Sequence, residues 1–416
     1  MILLVNPKQQ TKYPQPPLGL LTLASVLEEA RYPVQILDLN ILTLSEIRDS
    51  DQIELIGVTS TTPAIKQAIW TIRVLRSRFP KIPIILGGPH PSLVPEIKSD
   101  PSITQIVRGE GEKALLDLLN PERQLPLVES EQLYTDLDTL PPMAFHLVDL
   151  SKYHLHPPHG RRKPNLPIIT SRGCPFHCIF CSKGVFGSVY RTQSPDKTIE
   201  DLKYYISRFG VKEVTFYDDS FTLQRDRILK LCYLILRTDL KFLWSCETRV
   251  DLVDYSLLKT MKEAGCYSIS YGIESGDQSV LDALGKGVKL DQIQQAVAWT
   301  RKSGIQTTGY FVLGIPNLRL ENVLGTVNFA KELKLDYAQF SIATPYPGTA
   351  MYQNYLRAGN PPITDWTKSV YSESPLSSMA NRKFYLRPGY ITSRLAKIRS
   401  LEDIKIYLEG AKGLLR

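Results

Sequence analysis

The chain has 416 residues, of which 43% are hydrophobic and 22% are charged. This composition excludes an intrinsically disordered protein, and the length suffices for two or three domains. No uncharged apolar run approaches the roughly 18 residues that cross a bilayer. A strand-like run follows Met1 directly, so we expect no signal peptide and a cytoplasmic protein.

The formal net charge of +8 is concentrated near one end of the chain. Residues 381–416 carry nine basic and three acidic side chains, so the remainder is nearly neutral. We therefore expect no nucleic-acid partner. The basic tail is predicted to be a solvated helix face, and peripheral contact with an anionic membrane is the alternative.

Residues 1–125 alternate β-branched runs with helical stretches. This pattern predicts a doubly wound, Rossmann-like parallel sheet, which binds ligands at the carboxyl ends of its strands. Residues 126–165 are rich in proline and are predicted to be a linker. His154, His156 and His159 lie in it, and we favour a mobile connector there over a second metal site. The predicted strands are Ile2–Asn6, Val34–Asp38, Leu55–Thr59, Ile82–Leu86 and Ile103–Val107.

Six further βα units follow between residues 166 and 350 and predict a partial, TIM-like (β/α)6 barrel. Functional groups in such barrels lie at the carboxyl ends of the strands. Residues 351–416 are predicted to form a small α-rich C-terminal region. The predicted strands of the barrel are Leu166–Thr170, Glu213–Tyr217, Phe242–Glu247, Tyr267–Ile273, Thr307–Leu313 and Tyr337–Ala343.

The most specific motif is a cysteine triplet after the first barrel strand. Cys174, Cys178 and Cys181 are spaced CxxxCxxC, so one loop can wrap a single small cluster. A structural zinc usually has four protein ligands, and no fourth is evident nearby. Three thiolates on a [4Fe–4S] cluster leave one iron open for a ligand. The other cysteines, Cys232, Cys246 and Cys266, are predicted to be buried apolar side chains.

At this motif the chain resembles the radical S-adenosylmethionine (SAM) superfamily. The resemblance implies that SAM binds the open iron of a [4Fe–4S] cluster. An external electron donor of the flavodoxin or ferredoxin type then drives its cleavage to methionine and a 5′-deoxyadenosyl radical. The same resemblance implies SAM-binding roles for residues near the cluster and after the barrel strands, namely Phe180, Tyr217, Asp218, Asp219, Glu247, Arg249, Glu274 and Gly314.

The first domain resembles the cobalamin-binding class of that superfamily. Its small residues at strand ends allow close backbone approach, and its hydroxyls offer hydrogen bonds. The resemblance implies that cobalamin is bound by Pro17, Leu18, Gly19, Thr59, Ser60, Thr61, Gly87, Gly88, His90, Gly109 and Glu110.

One feature departs from many other cobalamin proteins. The DxHxxG motif, which supplies a lower axial histidine, is absent, and His90 is the one histidine in residues 1–125. We therefore expect base-off binding without a histidine ligand.

The sequence thus predicts an enzyme that uses a [4Fe–4S] cluster, SAM and cobalamin to methylate an unactivated carbon. The expected substrate is a small or lipid-like molecule. The alternatives are a cobalamin-dependent rearrangement or cyclisation, and a radical SAM enzyme whose first domain does not use cobalamin. A non-catalytic iron–sulfur electron-transfer protein is the remote alternative. No individual catalytic residue is predicted.

Overall fold

A computed structural model describes residues 1–11, 13–47, 52–120, 133–153, 161–315, 320–366, 374–396 and 398. His154, His156, His159 and the chain beyond residue 398 lie outside the described residues. The mobile connector predicted at these histidines therefore stays a prediction. So does most of the basic tail, which was predicted to be a solvated helix face with membrane contact as the alternative. No helix among the described residues is long and apolar enough to cross a bilayer.

The first sheet confirms the predicted doubly wound parallel fold. Its strand order is β2-β1-β3-β4-β5, and every pair is parallel. The order reverses between β1 and β3, which is where such sheets bind ligands. The strands are β1 (Ile2–Asn6), β2 (Val34–Asp38), β3 (Leu55–Thr59), β4 (Ile84–Gly87) and β5 (Gln105–Ile106). The helices are α1 (Leu18–Glu29), α2 (Ile65–Arg78), α3 (Pro89–Leu93) and α4 (Glu112–Leu119).

The strands of this sheet are apolar because they are covered on both faces. Residues Ile2–Val5 of β1 are at most 1% exposed. The buried face of α2, which includes Ala68, Ile72 and Leu75, packs into the same core. Parallel strands buried on both faces are expected to be continuously hydrophobic, as these are.

A six-stranded open sheet confirms the predicted partial barrel. Its order is β13-β12-β11-β10-β9-β6, so β6 and β13 are its edges. Its strands are β6 (Asn165–Ile168), β9 (Glu213–Phe216), β10 (Leu243–Thr248), β11 (Cys266–Glu274), β12 (Gln306–Leu313) and β13 (Tyr337–Ile342). A short antiparallel pair, β7 (Ser171–Arg172) and β8 (Arg191–Thr192), precedes α5 (Pro195–Phe209).

The remaining helices follow the strands of this sheet or the end of the chain. They are α6 (Arg225–Leu236), α7 (Tyr255–Glu263), α8 (Gln278–Ala283), α9 (Leu290–Lys302), α10 (Leu320–Glu332), α11 (Ala350–Arg357), α12 (Pro375–Tyr385) and α13 (Pro388–Leu395).

The chain forms two compact units, and the predicted domain boundaries stay a prediction. The first unit contains Met1–Leu155, Pro167–Phe209 and Pro345–Val370, and the second contains the rest. Residues 351–366 belong to the first unit, and Trp366 is buried in its core. The centroid of the Trp366 ring lies 5.8 Å from the ring centroids of both Tyr346 and Tyr352.

Candidate active site

The first unit contains a large cleft at the carboxyl ends of β3, β4 and β5. It encloses about 1260 Å³ of empty space, part of it open to solvent. Helix α1 forms one wall, and Ile168–Thr170 with residues of α5 form another. The lining is mostly apolar or glycine, so a large ligand can approach the backbone closely there.

Six of the eleven residues predicted to bind cobalamin line this cleft. They are Gly19, Thr59, Gly87, Gly88, Gly109 and Glu110. Gly88 has φ of 98°, and a Cβ there would lie 2.6 Å from Oγ1 of Thr59. A glycine is therefore required for the ends of β3 and β4 to approach each other at the cleft.

The other five predicted residues lie outside the cleft lining. Pro17 caps the start of α1 and Leu18 is its first residue. Ser60 is buried and donates to the carbonyl of Thr61, whose side chain is exposed.

His90 is buried and bonded within the protein. It is 3% exposed, and its Nδ1 lies 3.2 Å from Oγ1 of Thr62. Burial lowers the pKa of His90 to about 4, so the ring is neutral at neutral pH.

The predicted SAM-binding residues Asp218, Asp219 and Glu247 follow or end strands of the second unit. Asp218 is buried, whereas Asp219 is exposed and Tyr217 is half-buried. Glu247 accepts a hydrogen bond from the hydroxyl of Tyr310 at 2.9 Å. Desolvation raises the pKa of the Glu247 carboxyl.

Arg249 and Glu274 are both paired with charges that the sequence analysis missed. Arg249 donates from Nε and Nη2 to Asp251 at 2.9 Å, and from Nη2 to the carbonyl of Lys286 at 2.7 Å. Glu274 accepts from Nζ of Lys286 at 2.8 Å. Arg249, Glu274 and Lys286 are each 6% exposed, so this is a buried charged group at the ends of β10 and β11.

Two glycines shape the same end of the sheet. Gly314 follows β12 with φ of 68°, as a glycine readily does. A Cβ at Gly272 would lie 2.7 Å from Oε1 of Glu274 and 2.8 Å from Nζ of Lys286. A side chain at residue 272 would therefore have to displace the charged ends of this ion pair.

The cysteine motif lies on a loop in the first unit whose stem is the β7–β8 pair. Gly173 opens the loop with φ of 82°, and any side chain there would collide with the carbonyl of Val189. The amide of Cys181 donates to the carbonyl of Cys178 at 3.1 Å, which turns the chain between these two residues. Cys174, Cys178 and Phe180 are half-buried and Cys181 is exposed.

Contacts from two other segments hold this loop. The amide of Met351, in α11, donates to the carbonyl of Ile179 at 2.8 Å. Leu93, the last residue of α3, packs so closely on Gly184 that a Cβ there would lie 2.5 Å from it. Leu93 also packs against Gly348.

A buried ionic cluster, which the sequence analysis did not foresee, joins the loop stem to the cleft. Arg172 contacts Glu110 at 3.0 Å and Glu112 at 2.6 Å, and Arg191 contacts Glu110 at 2.6 Å. Glu110, which was predicted to bind cobalamin, and Glu112 both belong to the motif Arg108–Glu112 after β5, and both are engaged in this cluster. We call Glu110, Glu112, Arg172 and Arg191 the stem cluster.

Comparison with known proteins identifies the family. A model described as the radical SAM superfamily matches residues 168–330, and one described as a B12 binding domain matches residues 9–119. An uncharacterized methyltransferase from Pyrococcus horikoshii is 33% identical over an alignment of 440 positions. The alignment covers 96% of this chain and 94% of that protein. The chain is a B12-binding radical SAM enzyme.

Two further similarities place this radical SAM enzyme among its relatives. The anaerobic magnesium-protoporphyrin IX monomethyl ester cyclase of Rubrivivax gelatinosus is 29% identical over 81% of this chain and 66% of that protein. The structure of the cobalamin-dependent radical SAM enzyme OxsB has a TM-score of 0.73 at 19% identity, over 99% of this chain and 71% of that chain. At that identity the likeness shows a shared fold.

The family implies a [4Fe–4S] cluster, SAM and cobalamin, and the residues of the radical SAM enzyme fit them. Three thiols on one loop are the donors that an iron–sulfur cluster takes. In the part of the chain that is described, no three His, Cys, Asp or Glu side chains converge as a metal group. The loop thus supplies three thiols as cluster ligands, but the thiols do not converge on a common point. The glycine-lined cleft of the first unit fits cobalamin.

Proposed function

We propose that this enzyme methylates an unactivated carbon of a small-molecule or lipid-like substrate, using cobalamin and SAM. The observation that carries the proposal is the similarity to a methyltransferase along nearly the whole chain. The cleft at the strand ends and the cysteine loop, which lie in one compact unit, support it.

Cys174, Cys178 and Cys181 are the proposed ligands of the cluster. When bound, the cluster supplies an electron to SAM, and cobalamin supplies a methyl group that a carbon radical can accept. The hydrogen bond from Met351 to Ile179 and the packing of Leu93 on Gly184 support a fixed position for the loop. Partial exposure of the thiols leaves them accessible for cluster assembly.

The proposed cobalamin site is the cleft lined by Gly19, Thr59, Gly87, Gly88 and Gly109. His90 supports base-off binding without a histidine ligand, because its side chain is bonded to Thr62 and does not line the cleft. We propose that Pro17, Leu18, Ser60, Thr61 and His90 act indirectly, by shaping the strand ends and the first turn of α1. Glu110 lines the cleft and is also paired with Arg172 and Arg191.

In the second unit, we propose that SAM is bound by residues at the ends of β9 to β12. A zwitterionic ligand needs a cation and an anion within reach. Arg249 and Glu274 are such a pair, and Asp251 and Lys286 hold them in place. Tyr217, Asp218, Asp219, Glu247 and Gly314 are the further proposed contacts in this unit. A role in SAM binding for Phe180, which lies on the cysteine loop of the first unit, stays a prediction.

The reaction requires an external one-electron reductant, for which we propose a flavodoxin or ferredoxin. The exposed side of the loop at Cys181 is the proposed point of approach. A reducing, cytoplasmic location is proposed because such thiols and clusters are oxidised elsewhere. The membrane contact proposed for the basic end of the chain is supported by the exposed apolar residues Ile391 and Leu395 of α13.

A second candidate function is a cobalamin-dependent cyclisation without methyl transfer. The observation that favours it is the similarity to the Rubrivivax gelatinosus cyclase, whose substrate is a tetrapyrrole ester. A tetrapyrrole is therefore a class of substrate to be included among the compounds assayed.

The two functions differ in the products formed from SAM. The enzyme is reconstituted anaerobically with iron, sulfide and hydroxocobalamin, and incubated with methyl-labelled SAM, reductant and a panel of tetrapyrrole and lipid substrates. Methyl transfer predicts 5′-deoxyadenosine and S-adenosylhomocysteine in equal amounts, with label in the substrate. Deoxyadenosine with unlabelled product would instead establish cyclisation.

A pair of cysteine variants controls this assay. Cys181→Ala is expected to lose the cluster and both products, whereas Cys232→Ala, which changes a buried thiol on α6, is expected to keep them. Equal activity of the two variants would contradict the proposed ligand set.

A further inference from the structure

The stem cluster connects the cysteine loop to the cleft through buried charges. The exposed fraction of these side chains is 1% for Glu110, 6% for Glu112 and Arg172, and 7% for Arg191. Two guanidinium groups and two carboxylates make the cluster neutral. Buried charges are tolerated when they are paired and hydrogen-bonded in this way.

The two arginines would repel each other without the glutamates. Arg172 and Arg191 are directly opposite in the β7–β8 pair, and like charges in that arrangement destabilise a strand pair. Glu110 contacts both guanidinium groups and so neutralises the repulsion. Closure of the loop stem therefore depends on a residue of the Arg108–Glu112 motif, which follows β5.

Further bonds connect the same arginines to the body of the loop. Arg191 donates from Nη2 to the carbonyl of Phe186 at 2.9 Å, and the guanidinium of Arg172 lies 5.1 Å from the centre of the Phe186 ring. The stem cluster thus contacts both the base of the loop and a residue that follows its cysteines.

The cluster also borders the cleft. Glu110, Glu112, Arg172 and Phe186 all line it. A ligand that fills the cleft removes water beside these charges, and Coulomb attraction strengthens as the local dielectric constant falls. A filled cleft should therefore hold the loop stem closed more firmly than an empty one.

We propose that the stem cluster is a positioning device that couples cobalamin in the cleft to closure of the cysteine loop. This inference rests on the proposed cobalamin site. Arg172 is its central positioning residue, because it is the side chain that joins both glutamates of the motif to the stem. By linkage, closure of the loop in turn raises the affinity of the cleft for its ligand.

The test measures thiol reactivity in the cluster-free, full-length enzyme, so it does not depend on activity. The probe is cyanocobalamin, whose upper cyanide ligand prevents reaction with thiols, and its binding is measured separately by equilibrium dialysis. Labelling of Cys174, Cys178 and Cys181 by N-ethylmaleimide is followed by mass spectrometry. The buried Cys232, Cys246 and Cys266, which are at most 1% exposed, report any global unfolding.

In the wild type, saturating cyanocobalamin is expected to slow labelling of the loop cysteines about fivefold or more, as is typical of coupling between two sites. In Arg172→Lys the cofactor is expected to bind, but the slowing is lost, because a lysine cannot bridge two carboxylates as a guanidinium does. Glu112→Gln, which keeps the Glu110 contacts, is the milder second variant and should lose part of the slowing.

Arg394→Lys is the matched control. Arg394 is 8% exposed and pairs with Asp336 at 2.7 Å in the second unit, so this variant should retain the full effect. If the wild type binds no cyanocobalamin, the proposed cobalamin site is overturned and the coupling with it. If it binds and labelling is unchanged, the coupling alone is overturned. If both stem-cluster variants keep the full slowing, the role of the stem cluster in the coupling is overturned.

Discussion

Several ionisable side chains that the sequence singles out already have an opposite charge as a partner in the folded chain. Glu110 is paired with Arg172 and Arg191, Arg249 with Asp251, and Glu274 with Lys286. Each partner limits the rotamers of the residue it holds. A preorganised charge loses less entropy when a ligand binds than a free one does.

The Glu274–Lys286 pair gives a prediction for SAM binding. In Gly272→Ala, the added methyl group would displace both charged groups, so we expect the Kd for SAM to rise about tenfold, or about 1.4 kcal/mol. Isothermal titration of the reconstituted enzyme measures it. Gly325→Ala is the control, because no atom lies within 4 Å of its added Cβ. Equal affinities of the two variants would refute a role for this pair in SAM binding.

His90 gives a prediction about pH. Because its pKa is about 4 when folded and about 6.5 when unfolded, the unfolded state binds more protons between these values. The free energy of unfolding should therefore fall as pH drops from 6.5 to 4, by on the order of 3 kcal/mol from this residue.

Other groups titrate in the same range, so the measurement is a comparison. Urea unfolding of the wild type and of His90→Asn is followed at pH 7, 5.5 and 4. The difference between the two should shrink or reverse towards acid pH. A constant difference would show that the histidine keeps its ordinary pKa in the folded enzyme.

At the level of elements, short contacts fix loops that have little regular structure. The cysteine loop has only the two-residue strands β7 and β8 at its stem, yet Gly173, Leu93 and α11 each restrain it. Edge strand β13 is similarly covered, since the hydroxyl of Tyr385 bonds both the amide and the carbonyl of Ala338. Covering an edge in this way prevents pairing with other chains.

The loop gives a prediction about cluster loading. Gly173→Ala introduces a methyl group against the carbonyl of Val189 at a positive φ, so we expect it to bind much less iron after reconstitution. Gly210→Ala has a similar φ of 63° but nothing within 4 Å of its Cβ. Iron and sulfide analysis should find normal loading in this control, and normal loading in both variants would show that the loop does not need a glycine at residue 173.

The edge strand gives a prediction about stability. Tyr385→Phe leaves a buried amide and carbonyl without their side-chain partner, which should cost about 1–3 kcal/mol and lower the Tm. Tyr233→Phe, at a hydroxyl on the exposed face of α6, should leave the Tm nearly unchanged. Calorimetry distinguishes the two, and an equal Tm would show that water replaces the lost bonds at the edge.

At the level of the whole molecule, the two compact units hold different candidate sites. The cleft and the cysteine loop belong to the first unit, whereas Glu247, Arg249 and Glu274 belong to the second. A ligand that binds only the native form of a unit stabilises it by mass action.

This division predicts the pattern of hydrogen exchange. Cyanocobalamin alone should slow exchange in residues 55–59, 84–88 and 105–115, which surround the cleft, because opening these segments would release the ligand. Residues 243–248 and 266–274 should be unaffected. Protection of the second unit without protection of the first would place the cofactor elsewhere.

The sequence by itself determined the order and type of the strands, the glycine-rich strand ends and the cysteine motif. Strand runs such as Ile2–Asn6 and Leu55–Thr59 agree residue for residue because buried parallel strands need nearly continuous apolar segments, a local property. The motif Cys174–Cys181 is equally local.

The tertiary structure decided which charges meet. Arg172 and Glu110 are 62 residues apart, and nothing in the pattern around either one indicates the other. It also placed Trp366 in the core of the first unit, because burial is decided by which surface a side chain can reach after the chain has folded.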